Sequence, residues 1–530
     1  MGAPHIAGRQ TAVTLAVLLA GLALCAPTAQ ARVLADPVPA KDLGAGAIYQ
    51  ARLSARSCVA RAQPARLGRQ RCTTIAQLKG VDTTVRPVVA ADSKAIYLAA
   101  NDGVLVLRRD RTGRLAYDSC QPVTGPCGAS DDGNTVSELV LGPSGQQLYA
   151  VVQRQRDNGA EIHGLPIGAD DRLGPAPGCL LRARVAQYEE LANPRACQVD
   201  EGYDHAQTSG LVLTPDGRFA YLITDGPDTV GVAELTRSAD GTLVPAAGCV
   251  SIDGSRGFEH PGECQTLLPG VPPSDPLVDL KQLAVTPDGT SLIALSQRSF
   301  DKPGAFSTLG GVLVRFAIDD AGGLVRSPAP TACIDHTGLN GCSASAAMVG
   351  TESRMAVAGR RVYVASTVTF NNAKATNQAA VLGYQLGADG GLALPSAAAG
   401  CVGTTTVAGA RIKKLGSCSL GRETLRNLLD LVAGPRGHAL YAVGGMGSGV
   451  MAVSLLRLGT DGTPKAPQGP TGCLGSFPVR ERTPCNHPLA PEALADADTT
   501  LALAPNGQTG YVLSNIADNV ARLSVLQIRP

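Results

Sequence analysis

The sequence contains no tryptophan, and aromatic residues make up only 3% of its 530 positions. Its packed surfaces must therefore be built from Val, Leu and Ala, which remove less area from water per residue than large rings do. A dominant charge is missing too. With 46 basic residues against 44 acidic ones, there is no basic stripe for nucleic acid and no Lys/Arg run for a membrane surface. Beyond the N-terminal segment, no apolar run approaches the roughly eighteen residues of a spanning helix. The usual chemical motifs are absent: there is no H-E-x-x-H, no Walker loop and no G-x-G-x-x-G opening a helix. Neither GMGSGV around Ser448 nor GPSGQ around Ser144 completes a G-x-S-x-G elbow.

The N-terminus has the features of an export signal. Arg9 precedes the apolar stretch Ala12 to Ala23, and Ala29-Gln30-Ala31 offers small residues where a signal peptidase cuts. Cys25 raises a lipoprotein alternative, but Leu24 stands before it where a small residue is wanted. The expectation is a secreted or periplasmic protein cleaved after Ala31, with a linker over 32–47 and one domain over 48–530.

That domain repeats one phrase. LVLTPDGRFAYLIT (Leu211 to Thr224) recurs as VVAADSKAIYLAA (Val88 to Ala100), LVLGPSGQQLYAVV (Leu139 to Val152), LAVTPDGTSLIALS (Leu283 to Ser296), MAVAGRRVYVAS (Met355 to Ser366), LVAGPRGHALYAV (Leu431 to Val443) and LALAPNGQTGYVLS (Leu501 to Ser514). Each copy reads as a short apolar strand, a turn seeded by Pro, Asp, Asn or Gly, and a second strand carrying Tyr or a β-branched residue. Six units continue with a third strand such as TVGVAELTRS (Thr229 to Ser238), an acidic-Gly turn and a fourth strand. Seven four-stranded units at regular spacing predict a seven-bladed, all-β propeller, because each small sheet buries its faces only against its neighbours. The seventh unit runs out at Pro530 with three strands made. Ile48 to Ser57 is the expected fourth, which would leave no free sheet edge.

The cysteines keep the same count. Cys58 and Cys72, Cys120 and Cys127, Cys179 and Cys197, Cys249 and Cys264, Cys333 and Cys342, Cys401 and Cys418, and Cys473 and Cys485 fall as neighbours, one pair per unit. Local disulfides across an outer loop are the expectation for an exported chain. Zinc would need C-x-x-C or Cys/His clusters, which are missing.

The TPDG-x-x-x-Tyr hairpins and the acidic-Gly turns RSADGTL, GADGGLAL and GTDGTP resemble the lactonase-type seven-bladed propellers, the 6-phosphogluconolactonase-like and carboxymuconate-cyclase-like group with YVTN-type repeats. WD repeats, sialidase Asp-boxes and quinone-dependent propellers use a Trp that this chain lacks. The resemblance implies an axial site where water attacks a cyclic ester. Arg86, Lys281 or Arg354 would hold the acid and stabilise the oxyanion, with Glu138, Glu352 or His205 as general base.

Register independently points to the axis. Residues five before the aligned Pro stand where the central channel opens: Arg86, Glu138, Gly210, Gln282, Glu352, Asp430 and Thr500. Such a ring can bind a small polar ligand and can raise carboxylate pKa values. It is equally what solvated strand ends look like. The expected ligand contacts are Arg86, Glu138, Lys281, Gln282, Glu352 and Asp430. The loop Gln198 to Gly210 adds Asp200, Glu201, Tyr203, Asp204 and His205, and Asp496 with Asp498 offers oxygen ligands without the spacing of a calcium loop. Arg422 and Arg426 share one side of a short helical segment. No cofactor and no metal are expected. The partner is a small polar ligand or an extracellular protein, and the chain is expected as a monomer. Two functions compete: a lactonase-like hydrolase, and a non-catalytic interaction scaffold.

Overall fold

A computed structural model describes residues 52–529 except 62–65, 68–69, 112, 128–133, 155–158, 183–196, 201–206, 226–229, 252–262, 268–277, 301–307, 328–330, 336–341, 345–353, 369–377, 394–399, 404–418, 421–424, 426, 446–450, 468–471, 477–485, 490–498 and 517–519. Seven mostly antiparallel sheets follow one another along the chain, beside a small two-stranded ribbon, Arg66–Leu67 with Gln70–Arg71. Blade three shows the plan: Gln207–Leu213, Phe219–Asp225, Val230–Arg237 and Leu243–Ser251 run outward from the axis, each paired antiparallel to the last. The first strands of successive blades touch one another around a full circle, including blade seven against blade one. The protein is therefore a seven-bladed β-propeller.

The core is divided accordingly. Seven clusters of buried aliphatic side chains lie at the seven seams between adjacent blades. In the seam between blades four and five, for example, Ile293, Leu295 and Leu313 meet Val364, Leu382 and Tyr384. A blade has no interior of its own, so its inner strands are apolar on both faces, which is why the second strand is buried along its whole length in blade one and at every residue but the last in blade two.

In blades one, two, three and five the repeated Tyr proves to be a clasp. Tyr97, Tyr149, Tyr221 and Tyr363 each donate a hydroxyl hydrogen bond to a backbone carbonyl in the acidic-Gly turn of the following blade, at Asp171, Gly241, Gly322 and Gly462, over 2.7–3.0 Å. The two halves of the repeat, hairpin Tyr and acidic-Gly turn, are thus the two ends of one inter-blade bond. Blade four has Ile293 in place of Tyr, and its cross-strand partner Arg315 substitutes. The Arg315 Nη1 reaches Gly387 O at 2.8 Å and Gly391 O at 3.2 Å in blade five.

Blade seven contains both ends of the described chain. Arg52–Ala60 pairs antiparallel with Val520–Arg529, from Arg52 opposite Arg529 to Ala60 opposite Arg522. Residues 48–51 lie outside the described residues.

The blades carry more strands than the four expected. In blades two to seven a short fifth strand pairs parallel to the fourth, as Thr73–Thr74 does beside Val59 and Ala60. Blade one has four strands among the described residues. The cause is covalent. The bridges Cys58–Cys72, Cys179–Cys197, Cys249–Cys264 and Cys333–Cys342 return the chain alongside the fourth strand, with the second Cys directly before the fifth. The Cys120–Cys127 loop in blade one, with a separation of 7, is shorter than the others. Cys401 and Cys473 are also disulfide-bonded, and Cys418 and Cys485 lie outside the described residues.

Candidate functional site

The axial mouth is built by irregular backbone. In blades two, four and six the first strand carries a β-bulge one residue before the axial position. The extra residues are Ser137, Lys281 and Leu429, which precede Glu138, Gln282 and Asp430. A bulge re-aims the side chain that follows it. Here it sets three hydrogen-bonding groups into a collar around the channel.

The three act alike. Glu138 Oε2 accepts the Leu211 amide at 2.7 Å, Gln282 Oε1 accepts the Met355 amide at 2.7 Å, and Asp430 Oδ2 accepts the Leu501 amide at 2.9 Å. In each case the amide belongs to the first strand of the next blade, whose inner edge has no neighbouring strand to satisfy it. The intervening blades donate instead. Arg354 Nε gives a hydrogen bond to Leu429 O at 2.9 Å, and Thr500 Oγ1 to Val85 O at 3.4 Å. Gly210 in blade three has φ +68°, and a Cβ there would stand 2.6 Å from Ile223 Cδ1. The collar is therefore open at that blade.

Sequence register and structural register differ in blade five. Its hairpin closes with Ala358 opposite Arg361, two residues fewer than the Pro-Asp-Gly turns need. Tyr363 pairs with Ala356 there as Tyr441 pairs with Val432 in blade six. Counting back from the paired residue places Arg354 in the collar, equivalent to Asp430 and Glu138. Glu352 lies outside the described residues, as do His205, Glu201, Tyr203, Asp204, Asp496, Asp498, Arg422 and Arg426. Lys281 is the exposed bulge residue beside Gln282.

One contact crosses the collar. Arg86 of blade one reaches past blade seven to Asp430 of blade six, with Nε 3.3 Å from Oδ2 and Nη2 on Oδ1. Asp430 is buried, whereas the Arg86 side chain keeps 43% of its surface open. Arg86 thus has one side fixed and the other facing the channel. Its charge also acts on Glu138.

Burial pushes the Glu138 carboxyl up to about 7, against the pull of the Leu211 amide, the Arg86 charge and the Gly210 amide. Glu138 is half-buried by accessible surface, and the protein packed around it solvates its charge less well than bulk water does. Arg86 is held above its ordinary value: burial opposes its charge, but Asp430 and Glu138 outweigh burial.

His163 and Glu161 meet without any motif in the sequence to announce it. They sit buried in the third strand of blade two, 2.8 Å apart, with Arg154 on the other Glu161 oxygen at 3.2 Å. They belong to the blade's outer packing and not to the collar. Among the described residues no group of three His, Cys, Asp or Glu side chains is placed to hold a metal, and no helix is long and apolar enough to cross a membrane.

No protein-family model matches the chain, and no curated protein matches it. Among solved structures it is similar to a protein from Lactobacillus plantarum, with 14% identity over 58% of this chain and 69% of that one and a TM-score of 0.36. It is similar to a periplasmic gluconolactonase, PpgL, from Pseudomonas aeruginosa, at 19% identity over 58% and 67%, TM-score 0.34. It is also similar to the Dos1 propeller, at 9% identity over 89% and 94%, TM-score 0.40. Likenesses this distant carry no argument about activity.

Proposed function

We propose that the axial collar binds a small polar ligand and hydrolyses a cyclic ester, as an exported, lactonase-like enzyme. One observation carries the reading: an open guanidinium, fixed from behind by a buried carboxylate, acts on a carboxyl group poised near neutral pH. A general base works best with a pKa close to ambient pH, and a preorganised cation is what a developing oxyanion needs. In this scheme ionised Glu138 takes a proton from water as the water oxygen attacks the lactone carbonyl. Arg86 stabilises the oxyanion, held in place by Asp430. Collapse breaks the ring C–O bond, and the proton returns from Glu138 to the leaving alkoxide, giving a hydroxy acid. Arg354 and Gln282 complete the polar rim.

The disulfides fit an extracellular or periplasmic protein. Cleavage after Ala31 would be seen as a mature N-terminus at Arg32. The other reading, a non-catalytic extracellular scaffold, is favoured by the hydrogen bonds that tie Glu138, Gln282 and Asp430 to neighbouring amides, since these serve blade cohesion alone. The decisive assay follows hydrolysis of a panel of γ- and δ-lactones by the purified chain, with Glu138→Gln and Arg86→Ala beside it. Turnover in the wild type that falls at least a hundredfold in both variants supports the enzyme. Rates equal to buffer for every lactone overturn it and leave the scaffold.

A further inference from the structure

Beneath the collar the channel changes character. Two residues past the collar position stand Val88, Val140, Val212, Ala284 and Val432, all half-buried, and blades five and seven place Ala there. The following position is Val, Leu or Ala in all seven blades. Two successive rows therefore contain no polar side chain, directly below a row that holds Arg86, Glu138, Gln282, Arg354 and Asp430. The residue between collar and tube is packed away between the blades, as Leu139, Leu211, Leu283 and Leu431 are. Val88, Val140, Val212, Ala284 and Val432 each pack on one side against an inter-blade core, and because they stand on the innermost strands, the surface this packing leaves open is aliphatic and on the axial side.

A polyhydroxylated ligand reaching past the collar would set its hydroxyls against Val and Ala, and a buried hydroxyl without a partner is costly. A methylene chain has the opposite preference, gaining about 0.8 kcal/mol for each CH₂ buried, close to fourfold in affinity. Building on the collar reading above, we infer that the axial site takes an amphiphile: a lactone with an unbranched alkyl chain. The polar ring lies between Arg86 and Glu138, and the chain runs down the tube past Val140, Val212 and Ala284. The hydroxy acid released has the same shape, a carboxylate for Arg86 and a tail for the wall.

The experiment uses the purified full chain and γ-lactones with alkyl chains from methyl to decyl, alongside a sugar lactone. The Michaelis constant should fall about fourfold for each added methylene over the first few, and the sugar lactone should be the poorest substrate. Ala284→Phe, which narrows the tube, should flatten the series and raise KM for the decyl lactone more than tenfold. Calorimetry with butyrate and decanoate needs no turnover. Decanoate should bind at least tenfold more tightly, and more weakly in Arg86→Ala. Lactones hydrolysed with a KM indifferent to chain length would overturn the tube and leave the hydrolase. Chain-dependent binding of the acids without any turnover would overturn the hydrolase and leave the tube. Absence of both overturns both.

Discussion

Asp430 lies between two obligations: the same carboxylate receives the Leu501 amide of the next blade and the Arg86 guanidinium from the blade beyond it. The two residues are 344 positions apart in sequence, and their pairing joins blades six and one across blade seven, where the two ends of the described chain pair. Asp430→Ala leaves the Leu501 amide and Arg86 without their acceptor. The expected loss is about 2–4 kcal/mol of unfolding free energy, read as a shift in urea midpoint. Asp430→Asn keeps an oxygen for the amide and should lose about half as much. Equal losses in the two variants would show that the guanidinium, and not the amide, is the partner that matters.

Glu138 makes stability and activity respond oppositely to pH. Its folded pKa, about 7, lies above the ordinary glutamate value near 4.3, so the folded state holds the proton more firmly than the unfolded chain does. Its contribution is complete below the unfolded value and is lost as pH rises from about 4.5 through 7, on the order of 3 kcal/mol in total. Thermal midpoints should fall across that window. Glu138→Gln, which retains an acceptor for the Leu211 amide, should flatten the slope. Hydrolysis, if Glu138 is the base, should rise with pH over the same interval, with kcat/KM reaching its plateau above pH 7.

How much of this was legible in the sequence follows from whether a feature is local. The hairpin phrase, the acidic-Gly turns and the neighbouring cysteines are each contained within a few residues, so the seven units and their staples could be counted directly. The fifth strands could not, because Thr73–Thr74 and its equivalents are two to four residues long and exist only where a disulfide lays them against the fourth strand. The Tyr clasp was half visible: both ends recur, yet nothing in Tyr149 points to Gly241 until adjacent blades are set side by side. The collar was legible wherever the turn length is constant. It failed in blade five, where a turn shorter by two residues moves Arg354 into the place assigned by counting to Glu352.

The Tyr clasps predict a graded series. Tyr221→Phe removes only the hydroxyl that meets Gly322 O at 2.9 Å. A loss of about 1 kcal/mol is expected in equilibrium unfolding. Arg315→Ala removes donors from two carbonyls at once and strips an aliphatic stem from the seam, so about 2–3 kcal/mol is expected. Should Arg315→Ala cost less than Tyr221→Phe, Arg315 is not the replacement for the missing hydroxyl.

Blade one offers the opposite test, a substitution that should stabilise. Its first hairpin reads Ala-Asp-Ser-Lys where blades three and four have Pro-Asp-Gly, and Ser93 occupies the left-handed position with φ 65°. Gly217 and Gly289 hold the same place at 69° and 72° without a Cβ. A non-glycine residue there carries strain of about 1 kcal/mol. Asp92 partly compensates by accepting the Lys94 amide at 2.8 Å, a bond that Ser93→Gly leaves intact. The freer glycine chain loses more entropy on folding, so the net gain should be about 0.5 kcal/mol. A rise in the urea midpoint with an unchanged slope is the expected result. A fall would mean that the side chain of Ser93, a residue 8% exposed, contributes more to the turn than its backbone strain costs.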